Sequence, residues 1–86
     1  MAGYIGKFST GTIDVGDEFN IPIVTQYIVI VTGISEGSAM AFGNVNFCKI
    51  IENNIAGLTI ASSQQKLTMT NNSSTIVRYS IVTPGQ

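Results

Sequence analysis

The side chains that could carry out chemistry are few in this sequence, and the missing ones exclude most catalytic arrangements. The chain has one cysteine, Cys48, and no histidine. Histidine is the usual general base near neutral pH, and Ser-His-Asp and Cys-His arrangements both require it. Cys48 lies between Phe47 and Lys49 in an apolar stretch, where a cysteine is more often a small buried hydrophobic residue than a reactive thiol. The sequence therefore predicts a protein that is not an enzyme and has no catalytic residue.

Carboxylates are the other groups that could bind or react: Asp14, Asp17, Glu18, Glu36 and Glu52. Three of them surround a glycine in the segment 14–18, and such a turn can offer oxygen ligands to calcium. The spacing does not match an EF-hand loop, so an ordinary solvated turn is favoured and calcium binding stays open. A zinc site normally draws its ligands from Cys and His, but this chain has one Cys and no His. We expect neither a metal nor a cofactor.

Composition suggests how so small a chain is stabilised. Its 86 residues indicate a single domain, 1–86, with one thin core. Hydrophobic residues make up 44% of the chain and charged residues only 10%, against about 25% charged in an ordinary soluble domain. Neither a disulfide nor a zinc site can brace the domain, so burial against other protein is the remaining means of stabilisation. The sequence predicts association with copies of itself or with a larger structure.

Charge and hydropathy exclude two classes of partner. The net charge is −1, and the four basic residues Lys7, Lys49, Lys66 and Arg78 are scattered, whereas phosphate contacts need clustered cations. The most apolar stretch, 21–34, is shorter than the about 20 residues of a bilayer span and contains polar residues. The N-terminus shows no basic region followed by an apolar one, so we expect no signal peptide. Nucleic acid and membrane are thus not expected as partners.

Short runs of Ile, Val, Thr, Phe and Tyr, separated by turn residues, predict an all-β fold. The expected strands are Tyr4 to Phe8, Glu18 to Ile23, Gln26 to Thr32, Ala39 to Phe42, Asn46 to Ile51, Gly57 to Ala61, Lys66 to Thr70 and Thr75 to Val82. About eight such strands are typical of a small antiparallel β-sandwich, a jelly-roll-like domain or a partly closed barrel.

Alternation within the strands predicts which faces are buried. In the strand 66–70, Leu67 and Met69 point one way and the polar residues the other, as in a strand with one wet face. The run 27–31 has no polar face, which predicts a central strand covered on both sides by a second sheet or by a neighbouring subunit. Pro22 lacks an N–H group and so belongs at a strand edge or a bulge.

Candidate contact residues follow from these strands and from the polar loops between them. The candidate interface consists of Tyr27, Val29, Val31, Arg78 and Tyr79. Arg78 is the first choice, since interfaces enrich arginine and aromatic residues. The candidate loop contacts are Ser35, Glu36, Asn71 and Asn72, in loops that could present amides and hydroxyls to a sugar.

The last third of the chain carries a resemblance to a known group of proteins. The alternating runs 66–70 and 75–82 flank Asn71-Asn72-Ser73-Ser74 and predict a β-hairpin with a loop of about four residues. The segment KLTMTNNSSTIVRYSIV resembles the closing hairpin of small β-sandwich accessory proteins of tailed-phage virions, such as head-decoration (cement) proteins and tail or fibre modules. The resemblance implies a symmetric oligomer, often a trimer, bound to a capsid or tail surface. It transfers no functional residues.

Two functions from different classes remain. The first is a non-enzymatic virion structural protein that is assembled in the host cytoplasm, oligomerises and docks on a capsid or tail surface. The second is a carbohydrate- or receptor-binding β-sandwich module with a glycan as its partner. A stable monomer of 9.1 kDa at micromolar concentration would count against the first, and a glycan array without reproducible binding would count against the second.

Overall fold

The protein consists of antiparallel β-strands. A computed structural model describes residues 7–23, 25–34 and 37–83. Its strands are β1 Lys7–Ile13, β2 Glu18–Pro22, β3 Tyr27–Gly33, β4 Ser38–Asn44, β5 Phe47–Asn53, β6 Leu58–Ser63, β7 Lys66–Asn71 and β8 Val77–Thr83. The described part of the chain contains no helix with the length and apolar character that a membrane crossing requires.

The strands form two sheets. The large sheet has the order β1-β8-β3-β4-β5 and the small sheet the order β2-β7-β6, with every pairing antiparallel. The strands of the described residues do not close into a barrel, and the architecture is that of a small β-sandwich. This confirms the predicted all-β fold. Pro22 ends β2, an edge strand of the small sheet, in agreement with its missing N–H group.

The core lies between the two sheets. Its buried apolar side chains are Ile13, Ile23, Tyr27, Val29, Val31, Ala39, Ala41, Ile55, Leu58, Ile60, Leu67, Met69, Val77, Tyr79 and Ile81. The predicted inward pair Leu67 and Met69 is confirmed, since both are fully buried. Phe19 of the small sheet packs against Tyr79 of the large one, with ring centroids 4.4 Å apart. Alternation along each strand therefore places one face in the core.

The first strand is displaced from its prediction, whereas the others agree within two residues. β1 continues to Ile13, five residues past the predicted end at Phe8, and the predicted start at residues 4–6 lies outside the described residues. The run Ser-Thr-Gly-Thr lacks apolar alternation and reads as a loop. Its glycine has a packing role, because a Cβ on Gly11 would lie 2.6 Å from the Tyr79 hydroxyl oxygen.

The predicted hairpin between the last two strands is wrong. β7 lies between β2 and β6 in the small sheet, whereas β8 lies between β1 and β3 in the large sheet. The segment 72–76 thus crosses from one sheet to the other. The hairpin that β7 does form is with β6, through a two-residue loop in which Gln64 and Gln65 have φ of 53° and 65°. Positive φ at both loop positions is the geometry of a type I′ turn.

A buried amide holds the crossing segment. The Asn71 side chain donates from Nδ2 to the carbonyl oxygens of Ile13 (2.8 Å) and Thr75 (3.0 Å). Its Oδ1 accepts from the Ser73 backbone N–H (3.0 Å) and hydroxyl (2.5 Å). Asn71 and Ser73 are the buried polar residues of the described chain, and none of its buried side-chain polar atoms lacks a partner. The amide therefore ties the end of β1 to both ends of the crossing.

Candidate interaction surface

The outer face of the large sheet exposes a group of neighbouring apolar side chains. Because side chains alternate across a strand, β3 directs Tyr27, Val29 and Val31 into the core and directs Ile28 and Ile30 outward. Ile28 is 48% exposed and Ile30 is 42% exposed, although both lie on the central strand of five. A central strand with isoleucine in water on one side indicates a face that the domain itself does not cover.

The same pattern extends across the neighbouring strands. Pairing registers place Phe8, Val82, Ile28 and Phe42 side by side in one row. We define the apolar patch as the outward, exposed apolar residues of the large sheet: Phe8, Ile28, Ile30, Met40, Phe42, Phe47, Ile51 and Val82. Phe42 and Phe47 also contact each other edge to face, with centroids 6.3 Å apart.

The small sheet provides an internal comparison. Its outward positions are Glu18, Asn20, Pro22, Thr59, Ala61, Ser63, Lys66, Thr68 and Thr70. Two of them form a cross-strand hydrogen bond, in which the Thr68 hydroxyl donates to Asn20 Oδ1 at 2.6 Å. This face is hydrated in the usual way of an antiparallel sheet with one wet side. The apolar character of the large sheet's outer face is therefore not a general feature of the chain.

A groove runs through the apolar patch. It has a volume of about 570 Å³, and its apolar walls include Ile28, Met40, Phe42 and Val82. Ile51 closes one side because the β4–β5 register shifts between Met40 and Ala41, which inserts an extra residue in β5. Phe8, in the same row but two strands from Ile28, is 68% exposed. The patch thus contains both a recess and, on the edge strand β1, a highly exposed ring.

A hydrogen-bonded support below the patch positions its aromatic pair. The Tyr27 hydroxyl is 2.9 Å from Ser62 Oγ, which in turn lies 3.0 Å from the carbonyl oxygen of Phe47. The Ser62 hydroxyl also reaches the carbonyl oxygen of Asn44, at 3.2 Å, so both ends of the β4–β5 turn are tied to β6. Burial, together with the neighbouring Cys48 thiol, raises the pKa of the Tyr27 hydroxyl to about 12. The neutral hydroxyl is therefore the form that the folded protein favours.

The other end of the outer face is polar. Arg78 is exposed and pairs in register with Thr12 on one side and Thr32 on the other. On the edge strand β5, Lys49 lies beside Phe42, and Glu52 accepts a hydrogen bond from Asn54 at 2.8 Å. Charged groups of the large sheet thus lie at one end and along one edge of the outer face, whereas its central rows are apolar.

The structure corrects most of the predicted interface residues. Tyr27, Val29, Val31 and Tyr79 are buried between the sheets, so the small sheet already covers the side chains that we assigned to a partner. Their outward neighbours Ile28 and Ile30 had gone unassigned, because five consecutive apolar residues do not reveal which alternate set faces the core. The prediction that β3 is central is confirmed. Its coverage by a neighbouring subunit stays a prediction.

Of the four predicted loop contacts, the structure describes two, and these differ in their exposure. Asn71 is fully buried and its amide is used within the fold, so it is not available to a ligand. Asn72 is exposed, whereas Ser35 and Glu36 lie outside the described residues. Cys48 is half-buried, with its thiol 3.9 Å from the Ile60 carbonyl oxygen.

The acidic turn between β1 and β2 is built from backbone contacts. The Asp17 N–H donates to the Asp14 carbonyl oxygen at 3.0 Å, and the turn is joined to β7 by the Gly16 N–H, which donates to the Asn71 carbonyl oxygen at 2.6 Å. Within residues 7–23, 25–34 and 37–83 no group of three or more His, Cys, Asp or Glu residues is arranged to hold a metal ion.

The chain has no counterpart in the comparisons with known proteins. Comparison with family models, with curated proteins and with solved structures gives no significant match. The function of this small β-sandwich therefore has to be argued from its own surface.

Proposed function

We propose that the protein is a non-enzymatic structural module that oligomerises through the apolar patch and docks in this assembled form on a larger structure. The observation that carries the proposal is the contrast between the two outer faces of one sandwich. One is polar at nearly every position, whereas the other exposes Ile28, Ile30 and Phe42 on adjacent central strands. Contiguous apolar surface of this kind on a small soluble domain marks a site of contact with other molecules.

The energetics of the patch favour burial against protein. Removing apolar surface from water stabilises by about 25 cal/mol per Å², and the patch contains three phenylalanines and a methionine, residue types that interface centres enrich. The domain has neither a disulfide nor a second cysteine with which to form one. Covering this face therefore adds apolar burial that a chain of this length cannot obtain from its own core.

Within this class we propose an accessory protein of a virion, located on a capsid or tail surface. Support comes from the resemblance of the segment 66–82 to phage accessory modules and from the small, charge-poor β-sandwich in which that segment lies. The segment 66–82 does not form the hairpin on which the resemblance was based. The virion assignment therefore depends on the residue pattern of its two strands and on the apolar patch.

The carbohydrate-binding alternative has less support. Its loop 71–74 was expected to present two asparagines, but the Asn71 amide makes its hydrogen bonds inside the fold. Exposed Asn72 is what remains of that pair. We therefore propose assembly ahead of glycan recognition.

A pair of matched substitutions tests the proposal. Ile30→Lys places a charge in the patch, and Thr59→Lys places the same charge on the outer face of the small sheet, where it meets water. We expect the wild type and Thr59→Lys to assemble and to be detected by immunogold labelling on virus particles from the source. Ile30→Lys should retain the fold by circular dichroism but lose both properties. Equal behaviour of the two variants in both assays would refute the proposal.

A further inference from the structure

The apolar patch is complementary to itself. In the row formed by Phe8, Val82, Ile28 and Phe42, the highly exposed ring of Phe8 lies at one end and the groove between Ile28 and Phe42 lies toward the other. A surface with an exposed ring and a recess on one line can pair with a second copy of itself so that each ring meets the recess of the other copy.

We propose that the patch binds a second copy of this chain face to face, about a two-fold axis parallel to the strands that passes between β8 and β3. This inference rests on the proposed function, since it names the partner of the same surface. The axis places β1 of one copy over β4 of the other, and β8 over β3. Each Phe8 then enters the groove beside the second copy's Phe42. An isologous contact of this kind closes with two chains.

The register supports this axis row by row. Where Phe8 faces Phe42, Val82 faces Ile28, so the most apolar row packs on itself. A second row consists of the polar residues Thr12, Arg78, Thr32 and Ser38. In this row the same axis sets Arg78 opposite Thr32 and not opposite a second Arg78. Lys49 and Glu52 of the edge strand β5 remain outside the overlap and in water. On the outer face as described, no charged side chain thus lies directly opposite the same residue of the second copy.

The area of the overlap is sufficient for a weak dimer. Four strands at about 4.8 Å spacing and about 23 Å length project about 440 Å² per copy, or about 900 Å² for two, before side-chain relief is added. Stable specific interfaces bury about 1,200 to 2,000 Å² in total, and weak ones fall below this range. We therefore expect a dimer that dissociates in the micromolar range, so that its mass depends on dilution.

Cysteine cross-linking tests the geometry. Sheets packed face to face lie about 10 Å apart, whereas a disulfide needs Cα atoms within about 7 Å, so a short bifunctional thiol reagent is used in place of oxidation. The axis sets Thr12 of one copy opposite Ser38 of the other, which keeps the patch intact. In a Cys48→Ala background, Thr12→Cys combined with Ser38→Cys should give a covalent dimer with two bridges, because within one chain the two positions lie three strands apart, about 14 Å. Thr12→Cys alone should stay uncrosslinked, because the axis separates the two copies of residue 12.

Dilution experiments complete the test. Phe8→Ala should weaken dimerisation of the otherwise native chain at least tenfold, and Val15→Ala, an equally simple truncation of an exposed apolar residue outside the patch, should leave it unchanged. A cross-link from Thr12→Cys alone, or none from the double variant, would overturn the inference. So would a wild-type chain that is monomeric at every concentration. If the cross-links fail but the wild type still assembles and Ile30→Lys abolishes both assembly and particle docking, the proposed function stands without this geometry. A wild type that is monomeric at every concentration contradicts both.

Discussion

Asn71 gives the sharpest prediction about what holds the two sheets together. Its side chain takes part in four hydrogen bonds, two donated to carbonyl oxygens and two accepted from Ser73. A hydrogen bond contributes about 0.5 to 1.5 kcal/mol net, so Asn71→Ala should cost about 2 to 6 kcal/mol. A domain of this length has about 4 to 13 kcal/mol in total. The substitution is therefore expected to remove much of the stability.

Urea unfolding followed by far-UV circular dichroism measures this cost. Asn72→Ala, one position along and exposed, is the matched control and should change stability by less than about 0.5 kcal/mol. Ser73→Ala removes one hydroxyl of the network and should cost about 1 kcal/mol, which keeps the test valid if Asn71→Ala does not fold. A loss below about 1 kcal/mol for Asn71→Ala, with an unchanged denaturant slope, would refute the assigned role of the amide.

Four further variants test the local structure by thermal or urea unfolding. Gly43→Ala should lower the free energy of unfolding by about 3 kcal/mol, since the added Cβ would overlap the backbone of the next strand. Gly16→Ala should lower it by only about 1 to 2 kcal/mol, because residue 16 has open space around it but a φ of 88°. Replacing Gln64 with Asn and Gln65 with Gly should stabilise by about 1 kcal/mol, because these residues suit a type I′ turn. A loss of stability would contradict that assignment. Above pH 10 the unfolded chain releases the Tyr27 proton while the folded protein keeps it to about pH 12, so stability should fall with rising pH across this window. Tyr27→Phe should remove that part of the slope, and an unchanged slope would contradict the raised pKa.

The sequence predicted the fold class because local signals dominate in most of these strands. Alternation in 66–70 identified Leu67 and Met69 as core, and the missing N–H of Pro22 placed it on an edge strand. β1 was displaced because Gly11 and the neighbouring Ser and Thr residues look like a loop, although a non-local contact with Tyr79 requires the glycine there.

Sheet assignment and facing could not be predicted in the same way. Whether 72–76 is a hairpin loop or a crossing depends on Asn71 reaching Ile13, 58 positions away, which no local pattern reveals. In the run 27–31 every residue is apolar, so alternation predicts two faces but not which of them is the core. The patch is therefore evident only from register and burial, and the predicted interface residues of β3 lie one position out of phase with it.

The central claim is that the outer face of the large sheet is covered by protein when the molecule works. The most direct measurement is the mass of the full chain by light scattering across a dilution series, for the wild type and for Ile30→Lys. We predict a wild type that exceeds the 9.1 kDa of one chain and falls toward it on dilution, and a variant that stays at the mass of one chain throughout. A wild-type mass that matches that of Ile30→Lys at every concentration would contradict self-assembly through this face.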